Sequence, residues 1–233
     1  MQRDVGETAA TIPPLLPACW SAALTSALRI DGSMQASFKA PQIFSFWFRS
    51  RCFVARRMML NCLSPVPRHR SQAAAPGEVL AEIRSPLYAP ADVAEQELQL
   101  GKVENLRVAA RSLDGIRVPK GAVFSFWRQV GRPTKARGYV VGRELRQGCL
   151  IPTIAGGICQ LSNSLYQVAQ RSGQIVIERH GHSQPVVDAA FGPGEDATVF
   201  WNYVDLRFQA TADVVLRVML TGSELVVRLE RAI

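Results

Sequence analysis

The chemistry-bearing residues of this chain cluster in two segments. Gly156-Gly157-Ile158-Cys159-Gln160-Leu161-Ser162 is followed, about twenty residues on, by Glu178-Arg179-His180-Gly181-His182-Ser183. A glycine pair opening into an apolar-periodic run reads as a loop entering a helix, which puts Cys159 in the first turn. Backbone amides there lack intrahelical partners and the helix dipole favours negative charge, so a thiolate is stabilised. His182 is the preferred base, since Ser183 and Gln184 beside it are short polar partners, and His180 is the second candidate. An acid to orient the imidazole would be Asp196 or Asp205. Gln160 or first-turn amides would hold an oxyanion. The alternative chemistry is structural: cysteine is among the most buried residue types, and Cys159, His182 and Asp205 would then be a polar network fixing a helix against a sheet. No third ligand accompanies Cys159 and the histidines, so no metal and no cofactor is expected.

Those residues need elements to hold them. Val103, Leu106, Ala110 and Leu113 recur at helical spacing, and Asp114-Gly115 stops that helix. Ile116 to Val118, the turn Pro119-Lys120-Gly121 and Ala122 to Trp127 read as a hairpin. Arg137 to Val141 and Leu145 to Ile151 read as strands. Ile158, Leu161, Leu165 and Val168 form the apolar stripe of a second helix, with Cys159, Ser162, Asn163 and Tyr166 on an adjacent polar stripe. Strand-like runs follow at Ile175 to Glu178, Ala197 to Tyr203, Val214 to Leu220 and Leu225 to Leu229, with Thr221-Gly222-Ser223 as the last turn. The expected fold class is α+β: a mainly antiparallel sheet with two principal helices, the second opening at the Gly-Gly-Ile-Cys-Gln motif.

Residues 1–75 read as an irregular basic extension of no assigned function, with an arginine-rich, acid-free run from Arg49 to Arg70; it is either an over-extended N-terminus or a partly ordered arm on the main body. Residues 76–94 read as a lead-in and 95–233 as the domain. The chain has 233 residues, a formal charge of +8 and 48% hydrophobic residues, enough to bury a core. No run of eighteen uncharged apolar residues exists, so a spanning helix is not expected. Arg3 stands against Asp4 and Glu7, the wrong charge for an export leader, and the expected location is cytoplasmic or peripheral to the membrane. The five cysteines show no paired spacing, which favours thiols over a disulfide framework.

Between Arg117 and Arg146 eight basic residues stand against one acid, Glu144. Arg117, Arg128, Arg132, Lys135, Arg137 and Arg143 are candidate binders of an anionic partner, joined by Tyr166 and Arg179. The run lacks a recognition helix or an aromatic stacking pattern, so nucleic acid is not the expected partner.

The series resembles the VanW family. The resemblance rests on Asn105-Leu106-Arg107-Val108-Ala109, Pro119 to Phe126, Val130-Gly131-Arg132-Pro133-Thr134 with Gly138-Tyr139, Gly156 to Tyr166, Glu178 to Ser183, and Ala197 to Leu206, in that order. The family's glycine triplet is Ala155-Gly156-Gly157 here, and Lys120-Gly121 replaces its usual glycine-acid turn. Asp196 belongs to only part of the family pattern, which favours Asp205 as the acid. The resemblance implies an association with glycopeptide resistance and the cell envelope, and it carries no established activity. The function it implies is a non-catalytic module binding an envelope precursor or partner; the alternative is a cysteine-dependent amide hydrolase or acyl-transferase acting on cell-wall peptides.

Overall fold

Residues 40–63, 65–71, 77–89, 93–146, 149–181 and 196–232 are described in the computed structural model. Among them the order is α1 (Ala40–Leu63), β1 (Val79–Pro86), α2 (Val93–Arg111), β2 (Arg117–Val118), β3 (Val123–Ser125), α3 (Phe126–Val130), β4 (Val141–Arg146), β5 (Cys149–Ile154), α4 (Cys159–Arg171), β6 (Ile175–Glu178), β7 (Arg207–Gln209), β8 (Val214–Leu220) and β9 (Glu224–Arg231). Helices and antiparallel sheets make an α+β protein, with α2 and α4 where the periodicity put them.

The largest sheet has the order β1-β9-β8-β2. Its centre is the β8–β9 hairpin, in register from Val214 opposite Arg231 to Leu220 opposite Leu225. The turn at Thr221-Gly222-Ser223 holds because the Thr221 hydroxyl accepts from the Glu224 amide at 2.9 Å, the short-range bonding for which threonine is chosen in turns. Strand β1 adds along β9, with Ile83 opposite Val227. Helix α4 packs on β1 and β9, and α2 on β4 and β8. Leu106, Leu161, Leu165, Leu216 and Leu229 are fully buried between these layers, apolar area whose removal from water drives the assembly.

A second sheet, β3-β7-β6, carries the other half of the core. Phe124 on β3 and Phe208 on β7 are register partners, with their rings stacked at 4.7 Å.

The residues expected to form a hairpin between 116 and 127 do not pair with each other. The turn is real, with Ala122 N–H donating to the Pro119 carbonyl at 2.9 Å and Gly121 at φ +79°. It hands the chain from one sheet to the other: β2 pairs with β8 and β3 with β7. Phe126 and Trp127 belong to α3, which Ser125 caps by accepting from the Arg128 amide at 3.3 Å.

Strands placed at 137–141 and 145–151 shift as well. Lys135–Arg137 is a 3-10 turn closed by Gly138 at φ +88°, and the hairpin is β4–β5, Val141 opposite Ile154. The run from Ala197 to Tyr203 is no strand of a sheet: residues 196–199 have no regular secondary structure, and Phe200 bridges back to Val204. Residues 40–63, read as irregular, form a 24-residue helix. No proline or glycine interrupts that stretch after Pro41, and its Arg, Met, Leu and Ala are good helix formers. The strand β1 and the helix-lacking stretch 65–71, whose Arg70 carbonyl accepts from the Arg117 amide at 3.2 Å, also lie against the body.

Among the described residues no helix is long and apolar enough to cross a membrane, and no group of three or more acidic, histidine or cysteine residues could hold a metal ion.

Candidate functional site

The loop that feeds α4 is built by close backbone approach. A Cβ on Gly156 would stand 2.2 Å from the Gly142 carbonyl oxygen, so only glycine lets β4 and this loop touch. Asn105 of α2, fully buried, staples the two: its amide nitrogen donates to the Val140 and Gly156 carbonyls at 3.1 and 3.0 Å, and its oxygen accepts from the Val140 amide at 2.9 Å. Ala155 sits at φ +63°, a left-handed conformation that costs an alanine about 1 kcal/mol. The stem of Lys102 crosses the face of Gly157, whose Cβ would meet it at 2.0 Å. Burial, then the charge of Arg143, pulls the Lys102 amine down to about 8.

Beyond that loop, α4 begins at Cys159, and Cys159, Ser162 and Asn163 of its polar stripe face segment 196–199. The Cys159 thiol lies 3.5 Å from the Thr198 hydroxyl and 3.7 Å from the Val199 carbonyl oxygen. The Ser162 hydroxyl donates to the Ala197 carbonyl, and the Asn163 side-chain oxygen accepts from the Ala197 amide at 2.7 Å. Tyr166 supplies a ring face to Arg179, 5.0 Å from the guanidinium carbon, a cation–π contact. Arg179 in turn donates to the Asp196 carbonyl at 2.7 Å and its carboxylate at 3.1 Å. The Thr198 amide donates to the His180 carbonyl at 2.7 Å, so the segment is sewn to the end of β6 as well. Cys159, Tyr166, Arg179 and the backbone of His180 are thus brought together.

Other expected members lie elsewhere. Gln160 points to the far side of α4, donating to the Ser85 hydroxyl at 3.0 Å and the Pro86 carbonyl at 2.8 Å; it pins the helix to β1. Asp205 is 1% exposed. Its carboxylate accepts from the Ser125 hydroxyl at 2.6 Å, the Trp127 and Leu206 amides at 3.1 and 3.0 Å, and Arg207 at 2.8 Å. Four donors saturate it, and none is a histidine. It joins β3, α3 and β7, with the Trp127 indole donating to the Val204 carbonyl at 2.8 Å alongside. His182 lies outside the described residues.

The ring of His180 faces Glu178 at 3.2 Å. Burial raises the Glu178 carboxyl, but hydrogen bonds from His180 and Arg57 and the charges of Arg57 and Arg207 outweigh it, and the group sits below its ordinary value. Arg57 comes from α1. It donates through both terminal nitrogens to Glu178, at 2.9 Å for Nη1, and to the Tyr203 carbonyl at 3.1 Å. Phe53, one turn earlier, stacks on Tyr203 at 5.7 Å, and Asn61, one turn later, accepts from Arg207 at 2.8 Å. Sequence reading assigned these α1 residues nothing, because a seat made of one ring, one ion pair and one amide leaves no apolar stripe to recognise.

The cations of the basic stretch are dispersed. Arg117 pairs with Asp213 at 2.9 Å on β2; the Lys120 amide and then Arg117 hold that carboxyl below its usual range. Arg128 donates to the Val66 carbonyl at 3.0 Å, Arg137 donates to that of Arg132 at 2.9 Å, and Arg143 stands 3.9 Å from Glu95. Arg132 and Lys135 are exposed.

An α+β domain whose helix α4 enters from a glycine loop, with a cysteine-led polar stripe against a downstream segment, is the class these features define. A family model described as VanW like protein matches residues 101–230, more than half the chain, and the chain belongs to that family. It is 33% identical over 126 residues to the vancomycin B-type resistance protein VanW of Enterococcus faecalis, covering 53% of this chain and 46% of that protein. It is 32% identical over 127 residues to the uncharacterized protein YoaR of Bacillus subtilis, covering 54% and 41%. The match thus spans less than half the length of either relative. No solved structure matches. The stapled loop, α4, β6 and the Asp205 cluster all fall inside the matched residues; α1 and β1 precede them.

Proposed function

We propose that this chain is a non-catalytic binding module of a cell-envelope system, taking an anionic envelope precursor or a partner protein. The name of the Enterococcus relative supports a vancomycin-resistance context, and the envelope setting is part of this proposal. The observation that carries the non-catalytic reading is the state of the acid. A triad needs its carboxylate on the imidazole, and all four donors to Asp205 are structural groups of β3, α3, β7 and Leu206. Gln160, the side-chain oxyanion donor, is likewise committed to β1. In this reading the Cys159 stripe is a latch that holds α4 to segment 196–199. The binding surface draws on the chain's excess of basic residues, and nothing in it requires export or a membrane span.

A cysteine-dependent amide hydrolase or acyl-transferase is the second reading, favoured by one observation: Cys159 is only half-buried and opens α4, where a thiolate is stabilised. His182 would then be its base. Iodoacetamide labelling of the folded chain, resolved by peptide mapping, separates the two. Cys52 and Cys62 are exposed and serve as internal standards. Under the module reading Cys159 labels far more slowly than both, and Cys159→Ala costs about 1 kcal/mol of stability. Labelling of Cys159 faster than the standards, abolished in His182→Ala, would replace the module by the enzyme.

A further inference from the structure

Helix α1 and the end of β6 flank a cavity of about 320 Å3 that is open on one side, at the small end of the range for ligand sites. Its apolar wall is Phe53 and Leu60 from α1 with Ile177 and Tyr203 opposite. Phe53, Leu60 and Ile177 keep 41%, 39% and 52% of their surface exposed, so the structure leaves apolar area there uncovered. Its charged wall is Arg56, Arg57, Arg179 and His180 around one acid, Glu178.

The charge accounting of that wall is lopsided. Glu178 is consumed by Arg57 and His180, with Arg207 a further 3.5 Å away. Arg179 is consumed by Asp196. Arg56 is exposed and makes no hydrogen bond or ion pair among the described residues. It shares one stripe of α1 with Phe53 and Leu60, at spacings of three and four residues. A planar guanidinium on a cation-rich wall recognises a phosphate or carboxylate head, and the exposed apolar side chains beside it gain by covering a hydrocarbon.

We propose that this cavity binds an amphipathic phosphomonoester, its head group paired with Arg56 and its alkyl chain covering Phe53, Leu60 and Ile177. This rests on the reading of the chain as a binding module and gives that module a ligand class. It also gives α1 a role: the helix lies outside the family-matched residues and supplies half of the site's wall. A soluble ester and a lipid head group present the same chemistry.

The test is calorimetric titration of the full chain with octyl phosphate below its micellar concentration, against inorganic phosphate and octanol. Octyl phosphate is expected to bind one to one and at least tenfold tighter than either fragment. Arg56→Gln and Ile177→Ser are each expected to weaken it about tenfold with an unchanged melting curve. Octyl phosphate binding no better than the fragments, or binding insensitive to both substitutions, overturns the proposal. Given Arg56-dependent binding, co-sedimentation with vesicles containing phosphatidic acid that also needs Arg56 places the source in a lipid head group. Co-sedimentation independent of Arg56 places it in a soluble ester. The labelling experiment on Cys159 is scored separately. Slow labelling with no octyl phosphate binding removes the ligand and leaves the module, whereas fast labelling removes the module even where the ester binds.

Discussion

Two polar clusters meet at Arg207, and they are built on opposite principles. Around Asp205 a single buried carboxylate receives four donors and no charge is left over. Around Glu178, a few ångströms on, one carboxylate stands among Arg57, Arg207 and His180, with Arg56 and Arg179 on the same wall. The first cluster excludes water and has nothing left to offer a ligand. The second is exposed along one side and keeps an unspent cation. A buried polar group in a fold is structural when its partners are complete, and a surplus beside an opening is what a binding site retains. By that criterion the proposed module keeps Asp205 for the fold, and Arg56 and Arg57, from the arginine run that the sequence leaves unassigned, line the cavity.

The contrast breaks most visibly at Asp205. Asp205→Ala leaves the Trp127 and Leu206 amides without their carboxylate acceptor and takes from Arg207 its closest carboxylate, with Asn61 and Glu178 remaining to it. A loss of about 3–5 kcal/mol is expected in urea unfolding, the range for breaking a buried pair by removing one partner. A loss under about 1 kcal/mol would mean that the cluster is not holding β3 to β7. Next in size is Asn163→Ala, which orphans the buried Ala197 amide at the latch between α4 and segment 196–199. About 1–3 kcal/mol is expected, together with faster iodoacetamide labelling of Cys159, because the same segment covers the thiol. Lost stability without faster labelling would show that the latch and the thiol's cover are separate.

How much of this could be read from residues alone follows from what local pattern encodes. The α4 polar stripe was legible because Cys159, Ser162, Asn163 and Tyr166 recur at helical spacing after a glycine entry. Its partner was not, since periodicity specifies a face and says nothing of the remote segment, about 35 residues on, that covers it. The Pro119-Lys120-Gly121 turn was likewise legible, while the hairpin around it was not. The same turn chemistry serves two strands that pair with each other and two that pair with β7 and β8. Asp205 was recognisable as a demanding carboxylate in an apolar run, but Ser125 and Trp127, which answer it, lie about 80 residues earlier. Helix α1 escaped because its seat, Phe53, Arg57 and Asn61, mixes ring, ion and amide, so its hydrophobic pattern is weak.

Lys102 sharpens the comparison from a third position, with the smallest expected effect. Like Arg56 it has no hydrogen bond or ion pair among the described residues, but it is half-buried against Gly157 with Arg143 nearby. Its amine is pulled from 10.5 to about 8, so the charged form is harder to keep in the folded chain than in the unfolded one. Below about pH 8 both states are protonated and the penalty is fully present. Between 8 and 10.5 the unfolded chain holds the extra proton, stability rises with pH, and the penalty disappears. Lys102→Met keeps a stem over Gly157 and removes the charge. It is therefore expected to stabilise the protein at pH 7 by on the order of 1 kcal/mol, after allowing for the water that still reaches the amine. The gain should shrink as pH passes from 8 to 10.5. Arg56→Gln, at an exposed position, is expected to change stability by less than about 0.5 kcal/mol. A stabilising Lys102→Met beside a neutral Arg56→Gln would locate the protein's cost of unpaired charge in the α4 loop. A destabilising Lys102→Met would instead make that amine a partner in the loop's own structure, and the division between spent and unspent charge would have to be redrawn there.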